Sequence, residues 1–337
     1  MNDRCFSRAR TALIWTISIA FMTVGLIGHA LAGPKSQLLD EHWLAHNPAS
    51  DVIIEHDAWQ TFLDLYLEVA DPFDYSLQVD LAKSRRNDRI FANYEIHDQY
   101  EVLGKHQGRQ ENLSRIDYAR VRPRDRQMLR DYLTRMQAVP VSTLNKAEQR
   151  AYWLNLHNAL VVSIILDHYP VASVLDIDLS DEPIRRGPWP AKLIVVEDRP
   201  LSLDNIAHNI LRPIWRDERT IYGLTCGALG CPEPSPTAFR GDNVEDLLDQ
   251  AAARFINHPR GAAIREMDNR RDSLEGDGRL FSSSIYIWFA EDFGQKGSDQ
   301  DIIAHLRRYA DDRLGPMLDR ASEIDAHDFN WKINRVE

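Results

Sequence analysis

The chain has 337 residues, 44% of them hydrophobic, and a formal net charge of −11. That is ample apolar material for a large buried core, and the length allows one large domain or two. The acidic balance argues against nucleic-acid binding, which needs basic patches to neutralise phosphate, and it is a poor match for an anionic membrane surface.

Arg4, Arg8 and Arg10 precede the uncharged apolar run "TALIWTISIAFMTVGLIG", which leads into "HALAG" with Ala30 and Ala32 in small-x-small spacing. This is the pattern of a secretory signal cut after Ala32, so residues 1–32 are read as a signal peptide. The expected location is periplasmic or secreted, with no membrane contact after cleavage. The alternative is an inner-membrane anchor, since the run is long enough to span if left uncleaved. Cys5 belongs to the signal, which leaves Cys226 and Cys231 as the cysteines of the mature chain.

Residues 33–50 carry few signals and are expected to wrap the surface. "HDAWQTFLDLYLEV" spaces Trp59, Phe62, Leu63, Tyr66 and Leu67 at helical intervals, and Pro72 stops it. Residues 83–112 are highly polar and read as a surface excursion. "RDRQMLRDYLTRMQAV" is a second amphipathic helix with Met128, Leu129, Tyr132, Leu133 and Met136 inward. The helix beginning at Asn145 differs in kind. Asn145 is its N-cap, Glu148 follows in near capping-box spacing, and Pro170 ends it. From Trp153 to Leu166 it is apolar on nearly every side, so it is expected to be buried all round, with Asn155, His157 and Asn158 pairing to other segments.

"KLIVV" and "PLSL" read as strands flanking a tight turn. Ser202 caps the helix "LDNIAHNILR", with Asp204 in its first turn, and "TIYGL" reads as a buried strand running into Cys226. Asn243 caps the helix "VEDLLDQAAARFINH", "GRLFSSSIYIWFAEDFG" is strand-like through Ile287, "SDQDIIAHLRRYA" is a capped helix, and "HDFNWKINRV" is a final strand. The fold class is therefore α+β, mostly helical, with a small sheet in the C-terminal half and one long buried central helix. The expected organisation is a helical lead-in over 33–142, a core domain over 143–255, and a C-terminal extension over 256–337 packed on that core.

The blocks "IDYARV", "AYWLNLHNALVVSIILDHYPVASV", "GPW", "LSLDNIAHNILRPIW", the Cys-x4-Cys-Pro loop, "FINHPRG", "SSIYIWFAEDFG" and the closing "NW" stand in an order that resembles the bacterial branch of domain-of-unknown-function family 547. The resemblance covers most of the mature chain and implies the family's core at roughly 143–255. Three positions depart from the family pattern: Thr225 stands where Asn usually precedes the cysteine, Ile221 where a His is frequent, and Ala207 where Glu often precedes the helix His.

Cys226 at the end of the expected strand, beside a glycine turn, is a candidate nucleophile, with His208 as base and Asn155, Asn158 or Asp292 as the group orienting the imidazole. This gives a thiol-dependent hydrolase. The competing reading is a non-catalytic periplasmic binding or structural protein whose loop is closed by a Cys226–Cys231 disulfide. No cofactor or metal site is expected: GxGxxG and H-E-x-x-H patterns are missing, and the histidines are scattered along the chain. A peptide or small-molecule substrate fits either reading, and the sequence carries no sign of oligomeric state.

Overall fold

The computed structural model describes residues 33–71, 112–179, 187–266, 278–294 and 297–336. The expected signal peptide and nearly all of the polar stretch 83–112 lie outside these residues. The described chain is α+β and mostly helical, with small antiparallel and mixed sheets.

Helix α1 spans Asp57–Tyr66, with Trp59, Phe62, Leu63 and Tyr66 forming its buried stripe. It runs directly into the two-residue strand β1, Leu67–Glu68, which pairs with β2, Arg115–Ile116. Helix α2, Pro123–Gln137, begins on a proline whose missing N–H suits the first turn. The long helix α3, Lys146–His168, is buried without interruption from Glu148 to Leu166. Helix α2 packs against it and α1 against α2, and Trp43 meets Trp153 edge-on at 5.2 Å.

The start of α3 organises three neighbouring loops. Asn145 accepts the Glu148 N–H at 2.9 Å, as a cap should. Glu148 does not close a capping box; its carboxylate instead accepts from Ile54 N at 2.7 Å and Gly241 N at 2.9 Å. Arg150, buried one turn on, reaches Glu245 at 2.8 Å and Asp217 at 2.9 Å. Polar residues at a buried helix start are thus matched by backbone and charge from elsewhere in the chain.

Strands β3, Ile194–Val196, and β4, Arg199–Leu201, form a hairpin. Ser202 then takes its expected capping place, its hydroxyl accepting the Asn205 N–H while the Asn205 side chain accepts back. The helix that follows is wider than α-helical: Asn205–Leu211 is a π-helix, continued by α4, Arg212–Trp215. The expected strand "TIYGL" is a 3₁₀ helix, Glu218–Gly223. The reason is local: Asp217 caps it by accepting the Arg219 N–H at 2.9 Å and is itself anchored by Arg150. A short β-branched run without a period fits a buried helical turn as well as a strand.

Helix α5, Val244–Ile256, has Asn243 at its N-terminus, but that side chain accepts from Arg240 N instead of capping the helix. Strands β5, Ala262–Glu266, and β6, Gly278–Ser283, are antiparallel. The chain expected to stay extended through Ile287 turns at Ser284 into the short helix α6, Ile285–Trp288. Ser283 Oγ accepts the Ile285 N–H at 3.4 Å, the kind of side chain-to-backbone bond that breaks a strand. Helix α7, Asp299–Tyr309, opens with a capping box of Ser298 and Asp301. Helix α8 is Leu314–Leu318, and β7, Ala326–Asp328, adds to β6 in parallel.

Two apolar cores result. One surrounds α3; the other gathers Tyr222, Phe255, Tyr286, Ile302 and Leu306. Helix α5 belongs to both, through Val244 and Leu248 on the first side and Phe255 and Ile256 on the second. After β7 the C-terminal segment bridges to Ser173, Ala228 and Ile116 in turn. Phe329 in the same segment packs against both cores, so the segment crosses the seam where they meet.

Candidate functional site

A cavity of about 230 Å³ lies on that seam. One wall is aromatic. Trp288 stacks on Trp331 at 5.5 Å, Phe329 lies 4.7 Å from Trp288, and Trp189 meets Trp331 edge-on at 5.5 Å. The rings come from α6, the C-terminal segment and the loop before β3, so the wall exists only in the folded chain. Gly33 and Pro34 close one side.

A second wall is the cysteine loop. The Cys226 and Cys231 sulfurs are at bonding distance, with Cα atoms 5.7 Å apart, inside the range a disulfide spans. Cys226 is half-buried and Cys231 buried, and both line the cavity. The loop is also held by the C-terminal segment: Leu229 N donates to Lys332 O at 2.8 Å, Gly230 N to Asn330 O at 2.8 Å, and Asn334 N to Gly227 O at 2.8 Å. Gly227 has φ +79°, and a Cβ there would sit 2.3 Å from Ile165 Cδ1, so only glycine lets the loop lie this close to α3. Because the ring is small, reduction should lower the unfolding free energy by only about 2 kcal/mol. Urea midpoints with and without a dithiol measure this, and an unchanged midpoint would mean that the backbone bonds alone set the loop.

The third wall is the π-helix. Asp204 just before it, His208 within it and Arg212 at the start of α4 stand four residues apart and line the cavity. Arg212 is almost wholly buried and donates to Asp292 at 2.5 Å, Glu291 at 3.0 Å, the Pro34 carbonyl at 2.7 Å and His208 Nδ1 at 3.1 Å. It also lies over the Phe289 ring at 4.7 Å. Burial raises the pKa of Asp292, opposed by its bond to Arg212. A guanidinium can only donate, so His208 Nδ1 must accept and the neutral ring carries its proton on Nε2. That nitrogen lies 3.7 Å from Asp204 Oδ1.

The structure therefore brings Cys226 and His208 to one cavity and places the three candidate orienting groups elsewhere. Asn155 is bound to the backbone of Phe239, donating to its carbonyl at 2.7 Å and accepting its N–H at 3.0 Å. Asn158 likewise donates to Gly223 O at 2.8 Å and accepts from Thr225 N at 3.0 Å, fixing the backbone just before Cys226. Asp292 accepts from Arg212, which in turn donates to His208. The carboxylate that the helix brings toward the imidazole is Asp204, expected in the helix's first turn.

The other residue that sequence reasoning passed over as a site residue is His157, on α3. It is buried, lines the cavity, and has Nδ1 3.3 Å from Asn158 Oδ1. Burial pushes its pKa down to about 4, with the Asn158 bond opposing. A histidine in a helix apolar on every side was the available signal.

No curated protein and no solved structure matches the chain. A family model does. Residues 141–256, which carry α3, the π-helix, both cysteines and the histidines at 157 and 208, match the family described as "Protein of unknown function, DUF547", and this part of the chain belongs to it.

Proposed function

We propose that this domain, in a chain exported to the periplasm or beyond, binds a small organic molecule in the cavity, with the Cys226–Cys231 disulfide as part of the wall. The observation that carries the reading is that the two sulfurs stand at bonding distance where they face a cavity lined by stacked tryptophans. A sulfur engaged in a disulfide is not a nucleophile, and such bonds persist outside the cytoplasm. The lining also describes its ligand. The stacked rings suit a flat apolar face, while Arg212, the main donor, is already engaged by Asp292, Glu291, Pro34 and His208. The polar end of the ligand then supplies donors of its own, as the hydroxyls of a sugar ring do.

Oxidised protein titrated with mono- and oligosaccharides should change its tryptophan fluorescence saturably, and Trp288→Ala should weaken binding at least tenfold. Equal affinity in that variant would move the site away from the cavity.

A thiol-dependent hydrolase with Cys226 as nucleophile and His208 as base is the second reading, supported by their lining the same cavity. It requires the disulfide to open. Counting thiols on protein taken directly from the periplasm separates the two: a Cys226 that labels in the native state favours chemistry, and two cysteines released only by reductant favour binding.

A further inference from the structure

We infer that His157, oriented by Asn158, is the base that takes the proton of Cys226 once the disulfide is opened. The inference rests on the thiol reading and moves its base from His208 to His157.

Hydrogen-bond direction decides the matter. Asn158 donates through Nδ2 to the Gly223 carbonyl, and its Oδ1 accepts from the Thr225 N–H, so the amide has one orientation. An oxygen can only accept, and His157 Nδ1, 3.3 Å from it, is therefore the nitrogen that bears the proton. Neutral His157 consequently carries its lone pair on Nε2. Among the described residues this nitrogen meets no hydrogen-bond partner, although the residue is 4% exposed and lines the cavity. His208 has the opposite tautomer, with its Nδ1 lone pair turned to Arg212. Of the two imidazoles at the cavity, His157 is the one with an acceptor to offer.

Position agrees with direction. A single Asn158 oxygen holds both the His157 ring and the backbone N–H immediately before Cys226. The base and the sulfur are thus tied to one atom on a rigid buried helix, a cysteine–histidine–amide arrangement in which the amide keeps the imidazole in its tautomer. Opening the disulfide takes two electrons from an external dithiol, which leaves as its own disulfide while Cys226 and Cys231 gain thiol protons. The Cys226 proton then passes to His157 Nε2, giving a thiolate beside an imidazolium that keeps its Nδ1–H on Asn158.

The charged groups facing this pair are known. Asp204, His208 and Arg212 line the cavity from the π-helix and its two ends, and the Arg212 charge is met by Glu291 and Asp292. Behind the cysteine loop Glu233 is met by Arg254 and Arg260. The Asn158 bond favours the imidazolium, and burial opposes it unless the thiolate forms alongside.

The test needs no substrate. In Cys231→Ser protein, Cys226 is the one cysteine of the mature chain, and its reaction with iodoacetamide forms an S–C bond and expels iodide. An ordinary thiol, with a pKa of about 8.5, loses roughly tenfold in rate for each pH unit below that value. Here the rate should change less than threefold from pH 8 to pH 6. Adding His157→Gln should restore the steep dependence and lower the pH 6 rate at least tenfold, with the rate recovering at pH 10 and, in part, with added imidazole. Adding His208→Gln should lower it less than His157→Gln does. Loss on His208→Gln with none on His157→Gln would overturn the assignment in favour of His208. A steep ordinary profile before either histidine is changed would remove the base altogether. Because alkylation reads the sulfur directly, failure to find any hydrolysed substrate would count against the hydrolase reading alone.

Discussion

Lowering the pH from 7.5 to 5 should reduce the unfolding free energy by about 4 kcal/mol, well before carboxylate protonation destabilises the fold. The effect comes from two buried imidazoles. His56 is held at a pKa of about 4 mainly by burial, with Arg240 lowering it further and Asp57 opposing. His157 is likewise held at about 4 by burial. In the unfolded chain each would take up a proton near 6.5. Between about pH 6.5 and 4 the unfolded state therefore binds more protons than the native state, and stability falls as pH falls through that window. The linkage gives about 2 kcal/mol for each histidine at pH 5, a large part of a total that is typically about 5–15 kcal/mol. Burial also lowers the pKa values of His305 and His327, so they act in the same direction. The lowered carboxylates act later: Asp217 and Glu218 are held at about 2 and contribute stability lost only below about pH 4.5. Urea unfolding across this range should show the onset near pH 6.5, and His157→Gln should remove roughly half of the loss at pH 5. A flat profile from pH 7.5 to 5 would mean that these histidines reach water in the native state.

What could be read from residues alone divides along a physical line. The central helix was legible because burial on every side leaves a run of apolar residues with no polar face, and its ends carry a cap and a proline. The capped helices beginning at Ser202 and Ser298 were legible for the same local reasons. The β1–β2 pair was not, because two-residue strands are too short to alternate, and their partners lie nearly fifty residues apart. "TIYGL" and the chain after Ser283 failed differently. There, side-chain bonds from Asp217 and Ser283 start turns within sequences whose composition favours strand. The site followed the same division. Cys226 and His208 stood out by residue type, and both reached the cavity. The aromatic wall was hidden because Trp189, Trp288 and Trp331 come from three segments that only tertiary packing gathers. The roles of Asn155 and Asn158 depended on which backbone groups faced them, and helical spacing carries no information about a neighbouring loop.

Asn158→Ala should lower stability by about 2–6 kcal/mol, the larger figure applying if the loop before Cys226 cannot relax. The side chain answers two backbone groups at once, the Gly223 carbonyl and the Thr225 N–H, and both residues are buried. Each group left without a partner in such a place costs about 1–3 kcal/mol, because water cannot reach it to replace the bond. Asn155→Ala should be similarly destabilising, since it also strands a donor and an acceptor, both on Phe239. The two variants should differ at the cavity. In the Cys231→Ser background, loss of Asn158 frees the His157 ring and the backbone at Thr225, and should steepen the pH dependence of Cys226 alkylation. Loss of Asn155 should leave that dependence in place. Asn158→Asp separates the roles further. It keeps an acceptor for Thr225 N and His157 Nδ1, gives up the donor to Gly223 O, and sets a negative charge beside the imidazole. His157 should then protonate at higher pH than in the parent protein, and the stability loss between pH 7.5 and 5 should shrink although the protein is weaker at neutral pH. Urea unfolding of the three variants at two pH values checks the whole pattern. If Asn158→Ala lost less than about 1 kcal/mol, water would be reaching Gly223 and Thr225, and α3 would not be the element that holds the sulfur loop in place.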